Sequence, residues 1–239
     1  MNYASCHDNF TLYDQLSWCL SETGGSATDA SKAPYVADVM RASTAINSAI
    51  MMSNGVAFML GGEELFRNKI EDKPEDSRLD EDYVKMYGKC VSHNSYKSST
   101  NTNSFKWDRK IKVSGYKDTV YAGEVSQGKF VNWYMESLKG AIATRKAIAA
   151  KTPNSATNGG FCYSSNNKET NKCNYFGAGD GSTFVAIYLG GYCAFLCGRA
   201  AYDFEWAVGA KTKVTSIGNV SFNGTTISME KYSGAIYNA

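Results

Sequence analysis

The hydrophobic residues follow a helical period in two stretches of the chain. The first begins after Pro34, which suits the first turn of a helix, and Asn54-Gly55 provides a stop. The second covers residues 128–150 and is broken at residues 151–154, which read Lys-Thr-Pro-Asn. Their predicted apolar faces consist of Val36, Val39, Met40, Ser43, Ile46 and Ile50, and of Phe130, Tyr134, Leu138, Ile142 and Ile148.

Two short runs near these helices predict β-strands. Residues 56–60 (VAFML) are uninterruptedly apolar and flanked by glycines, which is typical of a strand buried on both faces of a parallel sheet. A helix followed by such a strand forms one αβ unit. A β-prone run from Asn2 to Ser5 leads into His7-Asp8-Asn9. A further helix is expected from about Thr11, with Asp8 or Asn9 as its N-cap.

The composition changes after about residue 153. Short apolar runs separated by Gly, Asn and Asp predict an antiparallel β-sandwich at residues 153–239, after an α/β region at residues 1–152. The candidate strands are Phe161–Tyr163, Thr183–Tyr188, Tyr192–Leu196, Phe204–Val208, Lys213–Ser216, Val220–Phe222 and Thr226–Met229. Residues 61–115 are polar and are expected to form a long loop, which in a compact protein is usually either functional or disordered.

Composition and charge narrow the range of partners. The 239 residues include 25 basic and 23 acidic side chains, and the net charge of +2 argues against a nucleic-acid or membrane-surface partner. No apolar run reaches the length of about 18–20 residues that spans a bilayer. Tyrosine, phenylalanine and tryptophan make up 13% of the chain, which suits stacking on sugar rings and ordinary β cores equally well.

Seven cysteines are scattered along the chain, and the odd number argues against a complete disulfide framework. We expect most of these thiols to be reduced and buried, which favours a cytoplasmic location, while secretion of a parent protein stays open. Cys193 and Cys197 are four residues apart, but with two histidines in the chain a zinc site there is not expected. No cofactor is predicted.

Three polar segments are candidates for chemistry. His7-Asp8 follows a predicted strand, but such a pair also occurs in ordinary hydrogen-bonded turns. Gly61-Gly62-Glu63-Glu64 follows the strand at residues 56–60, and its glutamates could simply be first-turn charges of a helix. His93-Asn94-Ser95-Tyr96 offers amides and a ring that suit sugar hydroxyls, although an ordinary surface loop has the same composition.

The order of these segments is more informative than any of them alone. The series NYASCHDNFTLYDQL, VMRASTAINSAIMMSNG, VAFMLGGEELFRNK and HNSYKSSTNTNSFKWDRK resembles the pullulanase-type, glycogen- and starch-debranching members of the α-amylase superfamily of glycoside hydrolases. The resemblance covers residues 2–150. It implies the last part of a (β/α)8 TIM barrel, about strands seven and eight with their helices, followed by the β-sandwich. Gly61 departs from the family, which has alanine there.

The resemblance also implies roles for individual residues. Asp8 corresponds to the third catalytic carboxylate, which stabilises the transition state, and His7 to the histidine that contacts the same sugar. Asn9 belongs to the same motif, and Asn94 and Tyr96 match substrate-cleft residues. The family's nucleophilic Asp and acid Glu lie on strands four and five, before the part that this chain resembles. No metal site is implied, and although family analogy allows calcium, no ligand set is readable.

We therefore expect a C-terminal portion of an α-glucan debranching enzyme, which hydrolyses α-1,6-glucosidic bonds with retention and is inactive alone. Its partners would be an α-glucan polysaccharide or oligosaccharide and a missing N-terminal catalytic portion. Two alternatives stay open. The chain could be a stand-alone α-glucan-binding module, or a half-enzyme that a separate polypeptide complements in trans. The choice among pullulan, glycogen and starch dextrins is also open.

Overall fold

The computed structural model describes residues 1–21, 34–52, 56–71, 83–86, 88–105, 107, 129–151, 161–163, 184–189, 192–197, 201–205 and 212–238. The chain divides into two compact units. Unit 1 contains Met1–Asn2, Thr44–Phe58 and Trp133–Ala239, and unit 2 contains Tyr3–Ser43 and Met59–Asn132. The domain boundary predicted between residues 152 and 153 lies outside the described residues and stays a prediction.

Both long predicted helices are confirmed. The described helices are α1 (Leu12–Cys19), α2 (Val36–Met52), α3 (Thr100–Asn103) and α4 (Lys129–Lys151). The N-terminal part of the predicted α2 face is fully buried, with Val36, Val39 and Met40 at 0% exposure. On α4, Tyr134 and Leu138 are buried as predicted. The side chains of Phe130 and Ile148 lie outside the described part of the structure.

The N-cap of helix α1 lies two or three residues after the predicted one. The prediction that Asp8 or Asn9 caps this helix is wrong, because the cap is Thr11. The Thr11 hydroxyl oxygen accepts a hydrogen bond from the Asp14 N–H at 3.2 Å, and Thr11 itself is 0% exposed. A buried threonine satisfies the open helix end, so His7, Asp8 and Asn9 are not needed there.

Helices α2 and α4 meet through polar groups within unit 1. Asn47 Nδ2 donates a hydrogen bond to the Tyr134 hydroxyl at 2.8 Å, and the hydroxyls of Ser48 and Ser137 lie 3.2 Å apart. Tyr134 is 0% exposed, so its hydroxyl needs a partner inside the protein. These bonds therefore fix how the two helix faces align.

The two strands predicted at residues 2–5 and 56–60 are reduced to one parallel bridge. Asn2 pairs with Ala57, through hydrogen bonds of 2.8 Å from Asn2 N–H to the Val56 carbonyl and 2.9 Å from Phe58 N–H to the Asn2 carbonyl. The expectation of a strand buried on both faces is wrong, since Val56 is 63% and Phe58 39% exposed. Among the described residues, this bridge is the strand pairing that the segment makes.

The described residues of the C-terminal region form two antiparallel sheets. The strands are β3 (Phe161–Tyr163), β4 (Phe184–Leu189), β5 (Tyr192–Cys197), β6 (Tyr202–Glu205), β7 (Thr212–Ile217), β8 (Val220–Phe222), β9 (Thr226–Met229) and β10 (Gly234–Asn238). One sheet has the order β3-β4-β5-β10-β7, and the other β6-β9-β8. All seven candidate strands exist, with ends shifted by a few residues. The rings of Phe222 on β8 and Tyr237 on β10 lie 6.0 Å apart, so the two sheets touch.

Residues 61–115 contain more regular structure than the predicted loop. A hairpin joins β1 (Tyr83–Met86) to β2 (Lys89–Ser92), and 3-10 helices cover Glu63–Leu65 and Ser95–Lys97. Met86 and Val91 form a small buried cluster against Phe10, Trp18, Ile70 and Val84. The apolar residues of this cluster come from distant parts of the sequence, so no local periodicity reveals it. No helix in the described ranges has the length and apolar character needed to cross a membrane.

Candidate functional site

His7 and Asp8 lie side by side on an exposed turn of unit 2. His7 Nε2 is 3.4 Å from Asp8 Oδ2, and the two side chains are 85% and 81% exposed. Asn9 follows with a φ of 65°, a left-handed conformation that asparagine tolerates better than most residues. Its side-chain Oδ1 accepts a hydrogen bond from the Phe10 N–H at 2.9 Å. The turn thus presents a carboxylate and an imidazole to solvent.

Lys69 supports this turn from the protein interior. Its side chain is 1% exposed, and Nζ donates hydrogen bonds to the carbonyl oxygens of His7 at 2.6 Å and Asn9 at 2.8 Å. These two carbonyls flank Asp8 in the sequence. An ammonium group has three N–H donors, and two of them serve this single turn.

The charge on Lys69 is balanced by its neighbours. Burial lowers the pKa of the Lys69 ammonium, and the nearby Arg67 guanidinium lowers it further. The carboxylates of Asp14 and Asp8 and the thiol of Cys6 act in the opposite direction, and the net effect is a lowered pKa. A buried charge is costly unless it is paired and hydrogen-bonded, so the carbonyls and carboxylates around Nζ are what make this position tolerable for a lysine.

Asp14 links Lys69 to helix α1. Asp14 Oδ2 accepts hydrogen bonds from the Lys69 backbone N–H at 2.9 Å and from the Thr11 hydroxyl at 2.8 Å. Asp14 is 0% exposed. Hydrogen bonds to a buried charged group are stronger than those between neutral groups, so this carboxylate fixes the start of α1 relative to Lys69.

The glutamates of the Gly61–Glu64 segment are used inside the protein. They open the 3-10 helix Glu63–Leu65, after Gly62 in a left-handed conformation with φ 93°. Glu63 is 2% exposed and accepts a hydrogen bond from the Ser5 hydroxyl. Glu64 Oε2 accepts one from the Gly62 N–H at 2.9 Å. The Ser5–Glu63 bond joins the segment that follows Asn2 to the segment that follows Ala57, the two residues of the parallel bridge.

Arg67 ties the same segment to α3. Its guanidinium donates to the carbonyl of Gly61 at 3.1 Å and to that of Asn103 at 2.9 Å, and it lies 5.3 Å from the centroid of the Phe105 ring. A Cβ on Gly61 would come within 3.1 Å of the Phe105 ring, which is closer than an ordinary van der Waals contact. Phe105 in turn contacts Trp107, with ring centroids 5.5 Å apart, and Trp107 is 73% exposed.

Asn94 and Tyr96 occupy a second exposed segment. Asn94 immediately precedes the 3-10 helix Ser95–Lys97, and its side chain is exposed. Tyr96 is 70% exposed, and Lys97 Nζ lies 4.9 Å from the centroid of its ring. An exposed amide and an exposed phenol can both donate and accept hydrogen bonds, which is the chemistry that a polyhydroxylated ligand requires.

One aromatic contact brings the two predicted segments together. Phe10, next to Asn9, packs edge-on against His93, next to Asn94, with ring centroids 5.9 Å apart. Phe10 also lies 5.9 Å from the ring of Trp18 on α1. The His7–Asp8–Asn9 turn and the Asn94–Tyr96 segment are therefore neighbours, because the aromatic residues next to them pack against each other.

The residues that sequence reasoning missed are those that support the turn. Lys69 stands in a charge-rich stretch where a solvent-exposed lysine is the ordinary expectation, so no sequence signal marked it. The described residues contain no group of three or more His, Cys, Asp or Glu side chains that could hold a metal ion. Cys6, Cys19, Cys90 and Cys197, the cysteines whose state the structure describes, are free thiols.

Sequence comparison finds relatives of one kind. No family model matches the chain. Pullulanase A of Streptococcus pneumoniae serotype 2 (strain D39) is 28% identical over 142 residues, a match that covers 54% of this chain and 11% of that protein. Pullulanase A of the serotype 4 strain TIGR4 matches to the same extent. The chain therefore spans about a tenth of the length of these curated relatives.

Solved structures extend the likeness to nearly the whole chain. The Group B Streptococcus pullulanase SAP in complex with maltotetraose has a TM-score of 0.64 at 17% identity, covering 98% of this chain and 31% of that one. The catalytic module of the pneumococcal protein SpuA gives 0.62 at 15%, covering 98% and 35%. The pullulanase of Anoxybacillus sp. LM18-11 gives 0.52 at 16%, covering 99% and 27%.

Identities this low establish shared fold, whereas the match to pullulanase A establishes similarity of sequence. The two comparisons agree on the same kind of protein, and both place this chain against only part of it. The chain is therefore a partial-length relative of the pullulanases, in sequence over its matched part and in fold over nearly its whole length.

Proposed function

We propose that this chain forms the last part of a (β/α)8 catalytic barrel, about strands seven and eight, and the β-sandwich that follows it, in an α-glucan debranching glycoside hydrolase. The domain boundary would lie between residues 152 and 153. One observation carries the proposal. The segments that follow Asn2 and Ala57, the two residues of the parallel bridge, are joined by the Ser5–Glu63 hydrogen bond. The segment after Asn2 leads directly into His7-Asp8. Catalytic groups of such barrels stand at the carboxyl ends of the strands.

The proposed reaction is hydrolysis of α-1,6-glucosidic bonds with retention of configuration. Asp8 would accept hydrogen bonds from sugar hydroxyls and hold them more tightly as positive charge develops on the ring, so it would stabilise the oxocarbenium-like transition state. His7 would contact hydroxyls of the same sugar. The exposure of both side chains leaves them available to a ligand. Asn9, Asn94 and Tyr96 would add hydrogen bonds around it.

The proposed ligand is an α-glucan oligosaccharide or polysaccharide. Its class follows from relatives: SAP was solved with maltotetraose, and SpuA is described as glycogen-degrading. Sugar hydroxyls both donate and accept, and the turn and the Asn94–Tyr96 segment offer a carboxylate, amides and a phenol. These groups suit a neutral polyol better than a phosphate, which would be repelled by Asp8.

The chain alone should not hydrolyse pullulan, because retaining hydrolysis needs a nucleophile and an acid, and the resemblance assigns neither to a residue of this chain. The test is a reducing-end assay on pullulan with the purified chain and with Asp8→Asn. Turnover by the chain that Asp8→Asn abolishes would contradict the expected inactivity. A second arm adds the upstream part of the SpuA catalytic module, the part that this chain does not match. Activity restored in the mixture and lost with Asp8→Asn supports complementation in trans, whereas restored activity that tolerates Asp8→Asn contradicts the role of Asp8.

A stand-alone α-glucan-binding module is the second candidate. The observation that favours it is a groove of about 540 Å³ beside the β6-β9-β8 sheet, called the β6-β9-β8 groove, which is lined among others by Asp203, Asn219 and Glu230 and by Lys213 of β7. Polar side chains of both charges in a groove can bind hydroxyls without any catalytic group. Retention on amylopectin that survives Asp8→Ala but is lost with Lys213→Ala would favour this module over the enzyme fragment.

A further inference from the structure

We infer that Lys69 is a positioning residue: its ammonium fixes the backbone of the His7–Asp8–Asn9 turn and thereby the direction of the Asp8 carboxylate. Lys69 would not touch the sugar. Its consequence for sugar binding rests on the proposed function, whereas its effect on the turn does not. The rigidity of the turn and the binding of a glucan must therefore be measured separately.

The ammonium contacts the turn at both ends. Nζ lies 2.6 Å from the His7 carbonyl oxygen and 2.8 Å from that of Asn9, so one cation bridges the His7–Asp8 and Asn9–Phe10 peptide units, between which lie the backbone torsions of Asp8 and Asn9. Rotation of the backbone about Asp8 would break at least one of these bonds. A single donor on one carbonyl would leave that rotation free, which is why the bidentate arrangement matters.

Lys69 is itself a fixed point. Its backbone N–H donates to Asp14 Oδ2 at 2.9 Å, and its carbonyl accepts from the Ser92 N–H at 2.9 Å. The next residue, Ile70, forms an antiparallel bridge with Val91. The main chain at Lys69 is therefore held by α1 on one side and by β2 on the other, and its side chain transmits that order to the turn.

Among the described residues, the other hydrogen bonds of the turn are local, from Cys6 Sγ to the Asp8 carbonyl oxygen at 3.7 Å and from the Phe10 N–H to Asn9 Oδ1 at 2.9 Å, whereas Lys69 connects the turn to a distant part of the chain. The side chains of His7 and Asp8 are 85% and 81% exposed, so packing does not orient them. Asn9 has a φ of 65°, a conformation that costs a non-glycine residue free energy and needs surrounding contacts to persist. The Lys69–Asn9 bond is one such contact. A lysine suits the task because its compact ammonium carries three donors at the end of a long stem.

The test uses the 239-residue chain labelled with ¹⁵N, and compares wild type, Lys69→Met, Lys69→Arg and Lys139→Met. Lys69→Met keeps the length of the stem and removes the donors. Lys139 pairs with Glu136 on the surface of α4 at 2.7 Å, so its replacement removes a lysine without touching the turn. Backbone relaxation of Asp8, Asn9 and Phe10 reports the rigidity of the turn, and a titration with maltotetraose reports binding at the same amides.

We expect Lys69→Met to increase fast motion at Asp8 and Asn9 while the amides of α1 keep their order, and to weaken maltotetraose binding on the order of tenfold. Lys69→Arg, which retains two or more donors, should recover part of both effects, and Lys139→Met should match wild type. A Lys69→Met turn as rigid as that of wild type would overturn the inference. If the turn loosens but wild type shows no response to maltotetraose, the positioning role stands and the proposed function fails.

Lys69→Met could also prevent folding, in which case the wild-type chain decides. A buried ammonium bonded to two carbonyls exchanges its protons slowly and gives an observable ¹⁵N-correlated signal, unlike an exposed lysine. That signal, with contacts to the amide protons of the His7–Asn9 turn, is the expected result. Rapid exchange at Lys69, equal to that of Lys139, would overturn the inference.

Discussion

The backbone N–H of Lys69 donates a hydrogen bond to the Asp14 carboxylate at 2.9 Å. The two residues are 55 positions apart in sequence, and both are almost fully buried. This one bond connects the start of α1 to the segment that follows the glycine turn. It also places a carboxylate close to the lysine that supports the His7–Asp8–Asn9 turn.

Replacing Asp14 by alanine should destabilise unit 2 by about 1–3 kcal/mol, because the Lys69 N–H is left buried without its acceptor. The loss includes the Thr11 bond and the negative charge that offsets Lys69. The free energy of unfolding in urea is the quantity to measure. Glu136→Ala, which removes an exposed carboxylate on α4, is the control and should change it little. Equal effects for the two substitutions would contradict the role given to Asp14.

Gly62→Ala should be more destabilising than Gly224→Ala. Both glycines have positive φ, 93° and 103°, so alanine is strained at either position by about 1–3 kcal/mol. At Gly62 the new Cβ would also lie 2.6 Å from the Phe105 ring, whereas at Gly224 nothing lies within 4 Å. The comparison isolates the cost of the aromatic contact. Thermal unfolding of the two variants measures it, and equal losses would mean that Phe105 moves aside freely.

Gly140→Ala tests the packing of α4 against β7. Helix propensity favours alanine over glycine by about 1 kcal/mol, but a Cβ at Gly140 would lie 2.7 Å from Thr215 Cβ, and overpacking costs about 1–3 kcal/mol. Because the obstructing atom is a branch point and not a flexible end, we expect a net loss of stability. Ala143→Gly at an exposed position of the same helix calibrates the propensity alone. A stabilised Gly140→Ala variant would contradict this packing.

Lys69 should make stability depend on alkaline pH in a defined direction. Its pKa in the folded protein lies below its ordinary value of 10.5, chiefly because of burial. Between these two pKa values the unfolded chain binds more protons than the folded one, so the free energy of unfolding contributed by Lys69 rises with pH there. At lower pH both states are protonated, and the cost of the buried charge is present in full.

The measurement is the difference in unfolding free energy between wild type and Lys69→Met in urea from pH 7 upwards. This difference, wild type minus Lys69→Met, should be constant at first and should then increase as the pH approaches 10.5. Lys139→Met should run parallel to wild type throughout. A difference that stays constant up to pH 10.5 would contradict a lowered pKa of Lys69, and one that falls above pH 10.5 would mean that this pKa is raised.

Local patterns in the sequence were sufficient to predict the helices and strands, but not to predict which neighbours would cover them. The helical periods after Pro34 and across residues 128–150 correspond to α2 and α4, and short apolar runs separated by turn residues correspond to β3–β9 among the eight strands described in the two sheets. These elements follow from spacing alone, because each buries one face. The segment at residues 56–60 looked equally clear, yet its apolar side chains are partly exposed, since burial depends on neighbours and not on the segment itself.

In the candidate site, too, the sequence identified the exposed residues but not the residues that hold them in place. The resemblance singled out His7, Asp8, Asn9, Asn94 and Tyr96, and the structure brings their two segments together through Phe10 and His93. Their roles in catalysis stay predictions. Lys69 and Arg67 could not be found from the sequence, because a lysine or arginine that bonds to the protein interior differs from a surface one only in its distant partners. Those partners lie up to 62 residues away, as for His7 and Lys69.

Titration of the ¹⁵N-labelled chain with maltotetraose, followed residue by residue at millimolar concentrations, tests the central claim most directly. The account predicts chemical-shift changes at His7, Asp8 and Asn9 and at Asn94 and Tyr96, which Asp8→Ala weakens without unfolding the chain. Changes confined to the β6-β9-β8 groove, or no changes in either segment, would contradict an α-glucan site at the His7–Asp8–Asn9 turn.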